Sequence, residues 1–289
     1  MLESGNTTNQ QAISNNSLDS ASETKREIKL SDLSEDFIWF LVGFAEGDGS
    51  WAVYDRIPTF LIKQKNREIL DYIVAKLGFG TVNQMADGYY NLSVRSKPNN
   101  KLLAQIFNGR LVFNKTKVRF KPYYEALLEK YPDLGPFDDT INYPSLENAW
   151  VSGLTQADGS FNVLIKPRQT PLGAQLKLRW MVDQNNEKST LEHIKSLFCT
   201  GTVVPRKSVG PDMYRYSTEA YTKASMHLVV DYFTRYPVLF EKYNDYYIHW
   251  LNIYNLANSA PLTPQTIEKI RAIKDLMGPS EDPAEDKQD

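Results

Sequence analysis

Residues 41–49 read LVGFAEGDG, and residues 151–159 read VSGLTQADG, 110 positions further along the chain. Both stretches have a glycine in the third place, an aspartate in the eighth and a glycine in the ninth. An aromatic residue, Trp51 or Phe161, stands two places after each copy. These matches, found in the same order, indicate one structural unit that occurs twice in the chain.

The similarity continues beyond the two motifs. Each copy leads to a mixed apolar and polar stretch that ends in a glutamine, Gln64 or Gln184. Each then enters a helical pattern that stops near a glycine, Gly80 or Gly201, followed by β-forming residues. The implied order in each half is helix, two strands, helix, two strands and helices. We therefore expect an α+β fold of two pseudo-symmetric αββαββα halves.

Composition divides the chain into five segments. Residues 1–33 are rich in Asn, Ser, Gln and Thr, so we expect a disordered polar leader. Residues 34–130 form the first predicted half and residues 145–277 the second. Residues 131–144 contain three prolines and a glycine and are predicted to be the linker. Residues 278–289 are predicted to be a disordered acidic tail.

The charge is unevenly distributed along the chain. The formal net charge is −2, but residues 1–36 and 279–289 each contribute −4, which leaves +6 on residues 37–278. A basic body suits contact with nucleic acid. A single cysteine, Cys199, excludes an internal disulfide framework and fits a reducing compartment. Neither a membrane-spanning run nor an apolar signal core is recognised, so we expect a protein that is not secreted.

Small residues recur on one face of each motif helix. Gly43 and Gly47 lie one turn apart, and Gly153 and Ala157 match them in the second copy. A glycine inside a helix costs about 1 kcal/mol relative to alanine. Their recurrence predicts that the two helices pack with their backbones unusually close. Ser34 or Asp36 is the expected cap of the first of these helices.

Two aspartates, Asp48 and Asp158, fall at equivalent ends of these helices. If the helices pack side by side, the two carboxylates converge at the negative ends of both helix dipoles. Such like charges repel unless a cation intervenes, and a hard divalent cation such as Mg²⁺ removes the conflict. This arrangement suits metal-dependent hydrolysis of a phosphodiester bond. An Asp-Gly pair is also an ordinary helix stop, but its recurrence in matched repeats favours the metal site.

The two motifs resemble the paired motifs of the LAGLIDADG homing endonucleases in their two-repeat, single-chain, intron-encoded form. The resemblance covers about residues 34–277. It implies that the two halves pack through the motif helices and that their antiparallel sheets form a DNA-binding saddle. It further implies a monomer with internal pseudo-two-fold symmetry that cuts both strands of a long DNA target and depends on Mg²⁺.

The same resemblance assigns roles to individual residues. The family binds its metals through the acid in the eighth motif place, which corresponds to Asp48 and Asp158. The backbone carbonyls of Gly47 and Ala157 would be neighbouring ligands. A glutamine and a lysine from each half surround the metals in the family. The matching residues here are Gln64, Gln184, Lys117 and Lys242.

Three features leave questions open or depart from the family pattern. In the first half Lys117 aligns best with the family's lysine, but Lys115 is two residues away and remains an alternative. The sixth motif place holds Glu46 and Gln156 instead of aspartate, and we expect no loss of activity from this. The second half has 26 residues from its motif aspartate to its glutamine, against 16 in the first half. This extra length, around residues 167–173, predicts a longer hairpin over the DNA.

The DNA-reading face should consist of basic side chains that rise from strands and turns towards the major groove. Some of them would hold phosphates and position the protein without reading sequence. The predicted set is Lys63, Lys65, Arg67, Arg95, Lys97, Lys166, Arg168, Lys177, Arg179, Arg206, Lys207 and Arg215.

Two other functions are compatible with the pattern. The first is a maturase that binds intron RNA and assists splicing, because members of the family act as nuclease, maturase or both. The second is a DNA-binding regulator without catalytic activity. The retained acid in both motifs favours cleavage, since neither alternative needs it. By resemblance, the gene would lie in an intron of an organellar genome, which gives the matrix of a mitochondrion or plastid as the expected location.

Overall fold

The computed structural model describes residues 28–239 and 241–278, without the side chains of residues 241–244. The first half begins with a short 3-10 helix, Leu30–Asp32. Its helices and strands are α1 (Glu35–Asp48), β1 (Gly49–Tyr54), β2 (Ile57–Gln64), α2 (Arg67–Leu77), β3 (Thr81–Gln84), β4 (Tyr90–Val94), α3 (Lys97–Phe107) and α4 (Asn114–Leu128).

The second half repeats this order and adds a final helix. Its elements are α5 (Trp150–Asp158), β5 (Gly159–Pro167), β6 (Ala174–Asn185), α6 (Lys188–Phe198), β7 (Thr202–Pro205), β8 (Met213–Ser217), α7 (Lys223–Arg235), α8 (Glu241–Ser259) and α9 (Pro264–Leu276). The predicted α+β order of two repeated units is therefore confirmed.

Each half contains one antiparallel sheet of four strands. The strand orders are β1-β2-β4-β3 and β5-β6-β8-β7, so both sheets have the same topology. The hairpin registers also correspond, because Gly49 pairs with Ile62 and Gly159 pairs with Val182. The glycine after each motif aspartate thus enters the first strand of its sheet at an equivalent point.

The motif helices α1 and α5 pack with their backbones in contact. A β carbon built on Gly43 would lie 2.0 Å from the carbonyl oxygen of Trp150, and one on Gly153 would lie 2.1 Å from that of Phe40. A β carbon on Gly47 would lie 2.5 Å from the β carbon of Ala157. No side chain fits at such distances, so the close approach predicted from the small residues is confirmed.

Large aromatic residues fill the core on the inner face of each sheet. In the first half Trp51 meets Phe107 with ring centroids 5.0 Å apart, and in the second Trp180 meets Phe233 at 5.1 Å. Strand β6 alternates between this core and the opposite face, because the buried residues Leu176, Leu178 and Trp180 are separated by Lys177 and Arg179. The alternation follows from the side-chain period of two in a strand.

Helix ends follow ordinary capping rules. The side chain of Ser34 accepts a hydrogen bond from the N–H of Phe37, so Ser34 is the cap of α1. Asn66 caps α2 by accepting from two backbone N–H groups, and Gly78 ends that helix in the left-handed conformation. These local signals fix where α1 and α2 begin.

The structure tests two features predicted from the sequence, the extent of the leader and the length of the second hairpin. Part of the predicted leader 1–33 is ordered, because Ile28, Leu30 and Leu33 pack against the core and bury apolar surface. The rest of that leader, and the predicted tail apart from Gly278, lie outside the described residues. The longer hairpin is confirmed: β5 and β6 extend to a turn at residues 168–173, where the N–H of Arg168 bonds to the carbonyl of Gly173 at 3.1 Å.

The predicted linker crosses from one half to the other. Within it, Pro132–Leu134 forms a 3-10 helix. The rest of residues 131–144 has no helix or strand in the described structure. Among the residues that the structure describes, no helix is both long and apolar enough to span a membrane.

Candidate active site

Asp48 and Asp158 are the last residues of α1 and α5. A β carbon built on Gly47 would lie 2.8 Å from Oδ2 of Asp158. The carboxylate of the second half therefore lies against the backbone of the residue next to Asp48. Both acids stand where the helix seam ends and the two sheets begin.

Burial disfavours the ionised form of both carboxylates. The pKa of Asp48 is raised from 3.8 to about 7, first by burial and then by the negative charge of Asp158. The pKa of Asp158 is also raised by burial, although Gln184 and Lys115 counteract part of the effect. A bound cation would remove the cost of holding both negative charges in this position.

A glutamine from the same half contacts each aspartate. The Gln64 side-chain amide donates to Oδ2 of Asp48, and that of Gln184 donates to Oδ2 of Asp158 at 2.6 Å. Both glutamines stand near the end of the second strand of their sheet, which brings them next to the helix ends. The structure thus places both predicted glutamines beside the predicted metal ligands.

Lys115 is the lysine that the structure brings to this place. Its Nζ donates to Oε1 of Gln184 at 2.6 Å, so a chain of two hydrogen bonds joins it to Asp158. Burial lowers the pKa of Lys115, and the negative charge of Asp158 opposes that shift. A lysine of the first half is therefore linked through Gln184 to the carboxylate of the second half.

Lys117, which sequence alignment favoured, lies elsewhere. Its side chain is buried and its Nζ donates to the backbone carbonyl of Thr140 in the linker at 2.5 Å. Lys115 and Lys117 are two positions apart in the sequence. On a helix this spacing directs the two side chains to different faces. Of the two alternatives, the structure therefore brings Lys115, and not Lys117, to Gln184 and Asp158.

Lys115 is the second residue of α4 and Lys117 is the fourth. The side chain of Lys242 lies outside the described residues.

The residues at the sixth motif place have a structural role that was not predicted from the sequence. Glu46 accepts the N–H groups of Val112 and Phe113 at 3.0 and 2.8 Å and the indole N–H of Trp150 at 2.7 Å. In the second half, Gln156 accepts the N–H of Leu239 at 3.0 Å. Both side chains therefore hold the segment just before α4 or α8. Burial raises the pKa of Glu46 to about 7.

Gly47 and Ala157, the predicted sources of carbonyl ligands, face each other across the seam. Both stand in the last turn of their helices, where carbonyl groups lack a partner within the helix. Their carbonyls are therefore suited to accept an external ligand close to the two aspartates.

Several predicted DNA-reading residues share the face of the second sheet that points away from the core. The strand pairing places four bases on this face: Lys166, Lys177, Arg179 and Arg215. Acidic and polar neighbours hold three of these side chains. Lys177 pairs with Glu219 at 2.5 Å, Arg215 with Asp183 at 2.6 Å, and Arg179 donates to Asn162 at 3.0 Å.

The remaining predicted bases lie on β2 or at the ends of elements. Lys63 is on the outer face of β2 and pairs with Asp87 at 2.6 Å. Arg67 pairs with Asp71 at 3.0 Å. The others follow a strand, begin a helix or stand in a turn, and they are Lys65, Arg95, Lys97, Arg168, Arg206 and Lys207.

One buried acidic residue beside the site was not predicted from the sequence. Glu187 is 2% exposed, and its Oε1 accepts the backbone N–H of Lys115 at 3.4 Å. It is the N-cap residue of α6, and the N-cap residue of α2 in the first half is Asn66. Because the repeat does not conserve this position, comparison of the two halves gave no signal for it.

Comparisons with known proteins place this geometry in a family. Residues 151–254 match the family model described as LAGLIDADG endonuclease. A Neurospora crassa protein named Probable intron-encoded endonuclease 4 is 32% identical over 258 residues, 87% of this chain and 46% of that protein. The Uncharacterized cox1 intron-2 37.2 kDa protein of Schizosaccharomyces pombe is 26% identical over 223 residues, 74% of this chain and 64% of that protein. The chain thus spans less than two thirds of either relative.

Solved structures have the same fold. Meganuclease I-SmaMI, bound to uncleaveable DNA, has a TM-score of 0.65 at 19% identity over 85% of this chain and 99% of that one. LAGLIDADG meganuclease I-CpaMI, bound to uncleaved DNA, has a TM-score of 0.62 at 19% identity over 84% and 99% of the two chains. The family model therefore identifies residues 151–254 as LAGLIDADG endonuclease sequence, and the solved structures show that the chain has the fold of the LAGLIDADG meganucleases.

Proposed function

We propose that the protein is a site-specific DNA endonuclease that hydrolyses both strands of a long duplex target with the help of divalent metal ions. The observation that supports this proposal best is the meeting of Asp48 and Asp158 at the end of a seam between two helices in backbone contact. The names of the relatives include intron-encoded endonuclease, and the similar structures carry bound DNA.

The donor atoms suit Mg²⁺. Within the described residues, no group of three or more His, Cys, Asp or Glu side chains could hold a metal ion. A site with two carboxylates, and the carbonyls of Gly47 and Ala157 close by, still fits a hard cation that prefers oxygen ligands. Magnesium commonly binds through one or two carboxylates, keeps several waters and completes its shell with phosphate oxygens of the substrate. The metal would supply an activated water and stabilise charge on the phosphate.

The surrounding side chains prepare this site for a phosphate. Gln64 and Gln184 each donate to a carboxylate and thereby fix its orientation. Lys115 brings a positive charge through Gln184 to the Asp158 centre, which we define as Asp158, Gln184 and Lys115. A cation in this position offsets the charge that develops on a phosphate during hydrolysis. We infer that Lys242 does the same at the Asp48 centre, defined as Asp48, Gln64 and Lys242.

The two sheets would read the target DNA. Their equivalent topology allows each sheet to present its outer face to one part of the duplex. Lys63 on β2 and the four bases of the second sheet carry the positive charge expected of such a face. The longer β5–β6 hairpin predicts that the second half contacts more of the duplex than the first half.

The biological setting follows from the family and is part of the proposal. The names of two relatives mention an intron, which supports a role of DNA cleavage in intron mobility. In that setting the protein would act in an organelle matrix as a single chain, and each of its two active centres would combine residues of both halves.

Substitution of the two aspartates tests the proposed activity. A duplex target is first recovered by selecting plasmids with randomised inserts for cleavage by the wild-type protein. Asp48→Asn and Asp158→Asn should each slow cleavage at least about 100-fold and leave DNA binding intact, because they remove metal ligands and keep the shape. Asp133→Asn, on the surface, is the matched control. A chelator should stop wild-type cleavage and Mg²⁺ should restore it.

Two results would contradict the proposal. One is a selection that recovers no cleaved target although the protein is folded and binds duplex DNA. The other is an Asp48→Asn or Asp158→Asn variant that cuts the selected target at the wild-type rate.

A further inference from the structure

Carboxylates from both halves cap the N-terminus of α4. The N-cap residue is Phe113, and within the described contacts its side chain makes no capping bond. Glu46, of the first half, accepts the N–H groups that precede the helix, including that of Phe113. Glu187, of the second half, accepts from the backbone of Asn114 and Lys115. The first N–H groups of a helix lack partners within it and carry partial positive charge, so buried carboxylates stabilise this end.

Glu187 is itself firmly held and directed towards α4. It occupies the N-cap position of α6, but among the described contacts its side chain does not cap that helix. Its Oε2 instead accepts the hydroxyl of Thr190 at 3.0 Å. The preceding residue, Asn186, has a φ of 59°, a left-handed conformation that asparagine tolerates. The carboxylate therefore bridges its own helix, through Thr190, and the start of α4 in the other half.

Lys115 is consequently fixed at two points by the second half. Its backbone N–H bonds to Glu187 at 3.4 Å, and its Nζ bonds to Gln184 at 2.6 Å. The negative charge of Glu187 also opposes the lowering of the Lys115 pKa by burial. Glu187 therefore both anchors the start of α4 and favours the charged form of the lysine that this helix carries.

The Asp48 centre differs at the matching position. The residue that matches Glu187 is Asn66, the N-cap of α2, whose side chain accepts the N–H groups of Glu68 and Ile69 on its own helix. A carboxylate thus stands beside the lysine of one centre, and an uncharged amide that caps its own helix occupies the equivalent place in the other. The two centres are chemically unequal.

We propose that Glu187 is a positioning residue that holds Lys115 at the Asp158 centre, so that cleavage of one DNA strand depends on Glu187 and cleavage of the other does not. The proposal rests on the proposed endonuclease function. It adds to that function an inequality between the two strand cuts, with a named residue as its source.

Single-turnover cleavage of the selected duplex, with the two strands labelled separately, tests this inference. Glu187→Ala should slow the cut of one strand at least about 10-fold, because a displacement of about 1 Å in a catalytic group costs up to about 100-fold. Lys115→Met should slow the same strand. The rate of the other strand and the affinity for DNA should change less than about twofold in Glu187→Ala. Glu187→Gln, which keeps an acceptor oxygen, should recover part of the lost rate.

A double variant separates positioning from general destabilisation. If Glu187 acts through Lys115, Glu187→Ala should have no further effect in a Lys115→Met background, whereas independent effects would multiply. Glu192→Ala, a partly exposed acid of α6 paired with Lys195, is the matched control and should leave both strand rates unchanged. Circular dichroism establishes that each variant is folded, and Glu187→Gln replaces Glu187→Ala if the latter is not.

The proposal is overturned if both strands slow equally in a folded Glu187 variant, if neither slows, or if the loss multiplies with that of Lys115→Met. These outcomes require a wild-type protein that cuts, so they are distinct from failure of the proposed function. A wild-type protein that binds the duplex and cuts neither strand contradicts both.

Discussion

Asp48 occupies a position where a negative charge costs folding free energy. Its pKa in the folded protein is raised from 3.8 to about 7, so the folded state holds this proton more tightly than the unfolded chain does. Stability from this residue therefore falls as the pH rises from about 4 to about 7, and the full cost is present above that window. One pKa unit corresponds to about 1.4 kcal/mol, which sets an upper limit of roughly 4 kcal/mol.

Asp48→Asn should therefore stabilise the metal-free protein at about pH 8 and have little effect at about pH 4. Melting temperatures measured in a chelator at both pH values check this expectation. Asp133→Asn, which removes an exposed acid paired with Lys101, should not raise the melting temperature at either pH. Equal melting temperatures of the wild-type protein and Asp48→Asn at about pH 8 would contradict the assigned burial of this charge.

The two lysines at the start of α4 have different partners, and substitution of each lysine should distinguish their roles. Lys115→Met should slow cleavage about 100-fold and retain DNA binding, because it removes a cation from the Asp158 centre. Lys117→Met should reduce the free energy of unfolding by about 1 kcal/mol through loss of its bond to Thr140, with cleavage close to the wild-type rate. Cleavage rates and denaturant unfolding check both. A Lys117→Met variant that is folded and inactive would reverse the assignment.

The choice between these lysines also marks what sequence could predict at the residue scale. The aspartates and glutamines were predicted because each recurs at a matched position of the repeat. The choice of Lys115 over Lys117 depends on where α4 begins, and that start is held by contacts with Glu46 across the fold. Glu187 could not be predicted, because its carboxylate contacts the other half and the matching residue of its repeat is Asn66.

At the scale of elements, the seam between α1 and α5 depends on the absence of side chains at a few positions. Gly43→Ala and Gly153→Ala would each place a β carbon about 2 Å from a backbone carbonyl oxygen of the facing helix. Backbone atoms cannot rotate away, so the helices must separate. We expect each variant to lose at least about 3 kcal/mol of stability, at the upper end of the usual cost of overpacking.

Denaturant unfolding measures this loss, and Gly210→Ala is the matched control. A β carbon on Gly210 would meet its nearest neighbour, the β carbon of Met213, at an ordinary 3.8 Å. Gly210→Ala should therefore be tolerated. Wild-type stability of Gly43→Ala would mean that the two backbones are not in contact.

The elements themselves were largely predictable, because their signals are local. Alternation along β6 predicted its two faces, and glycines marked the helix ends. The 3-10 helix Leu30–Asp32 was not predicted, because this stretch has few apolar residues. Those residues are stabilised by packing against a core formed by residues further along the chain. The extra length of the second hairpin was visible in the spacing between Asp158 and Gln184.

For the whole molecule, we expect that affinity for DNA comes from the outer sheet faces and not from total charge. Lys177→Gln should reduce the slope of log affinity against log salt by up to about 0.9, the value for one phosphate contact. Lys269→Gln, an equal change of charge on the outer helix α9, should leave that slope unchanged. Filter binding at several salt concentrations decides. Equal effects of the two variants would contradict the assignment of the sheets as the DNA face.

The central claim is that the two halves each contribute one carboxylate to a shared metal-binding site beside the DNA. Its most direct test is the number of Mn²⁺ ions bound to the protein–DNA complex, measured by electron paramagnetic resonance for the wild type, Asp48→Asn and Asp158→Asn. The wild-type complex should bind Mn²⁺, and each substitution should remove most of this binding while the DNA remains bound. Undiminished Mn²⁺ binding in both variants would contradict it.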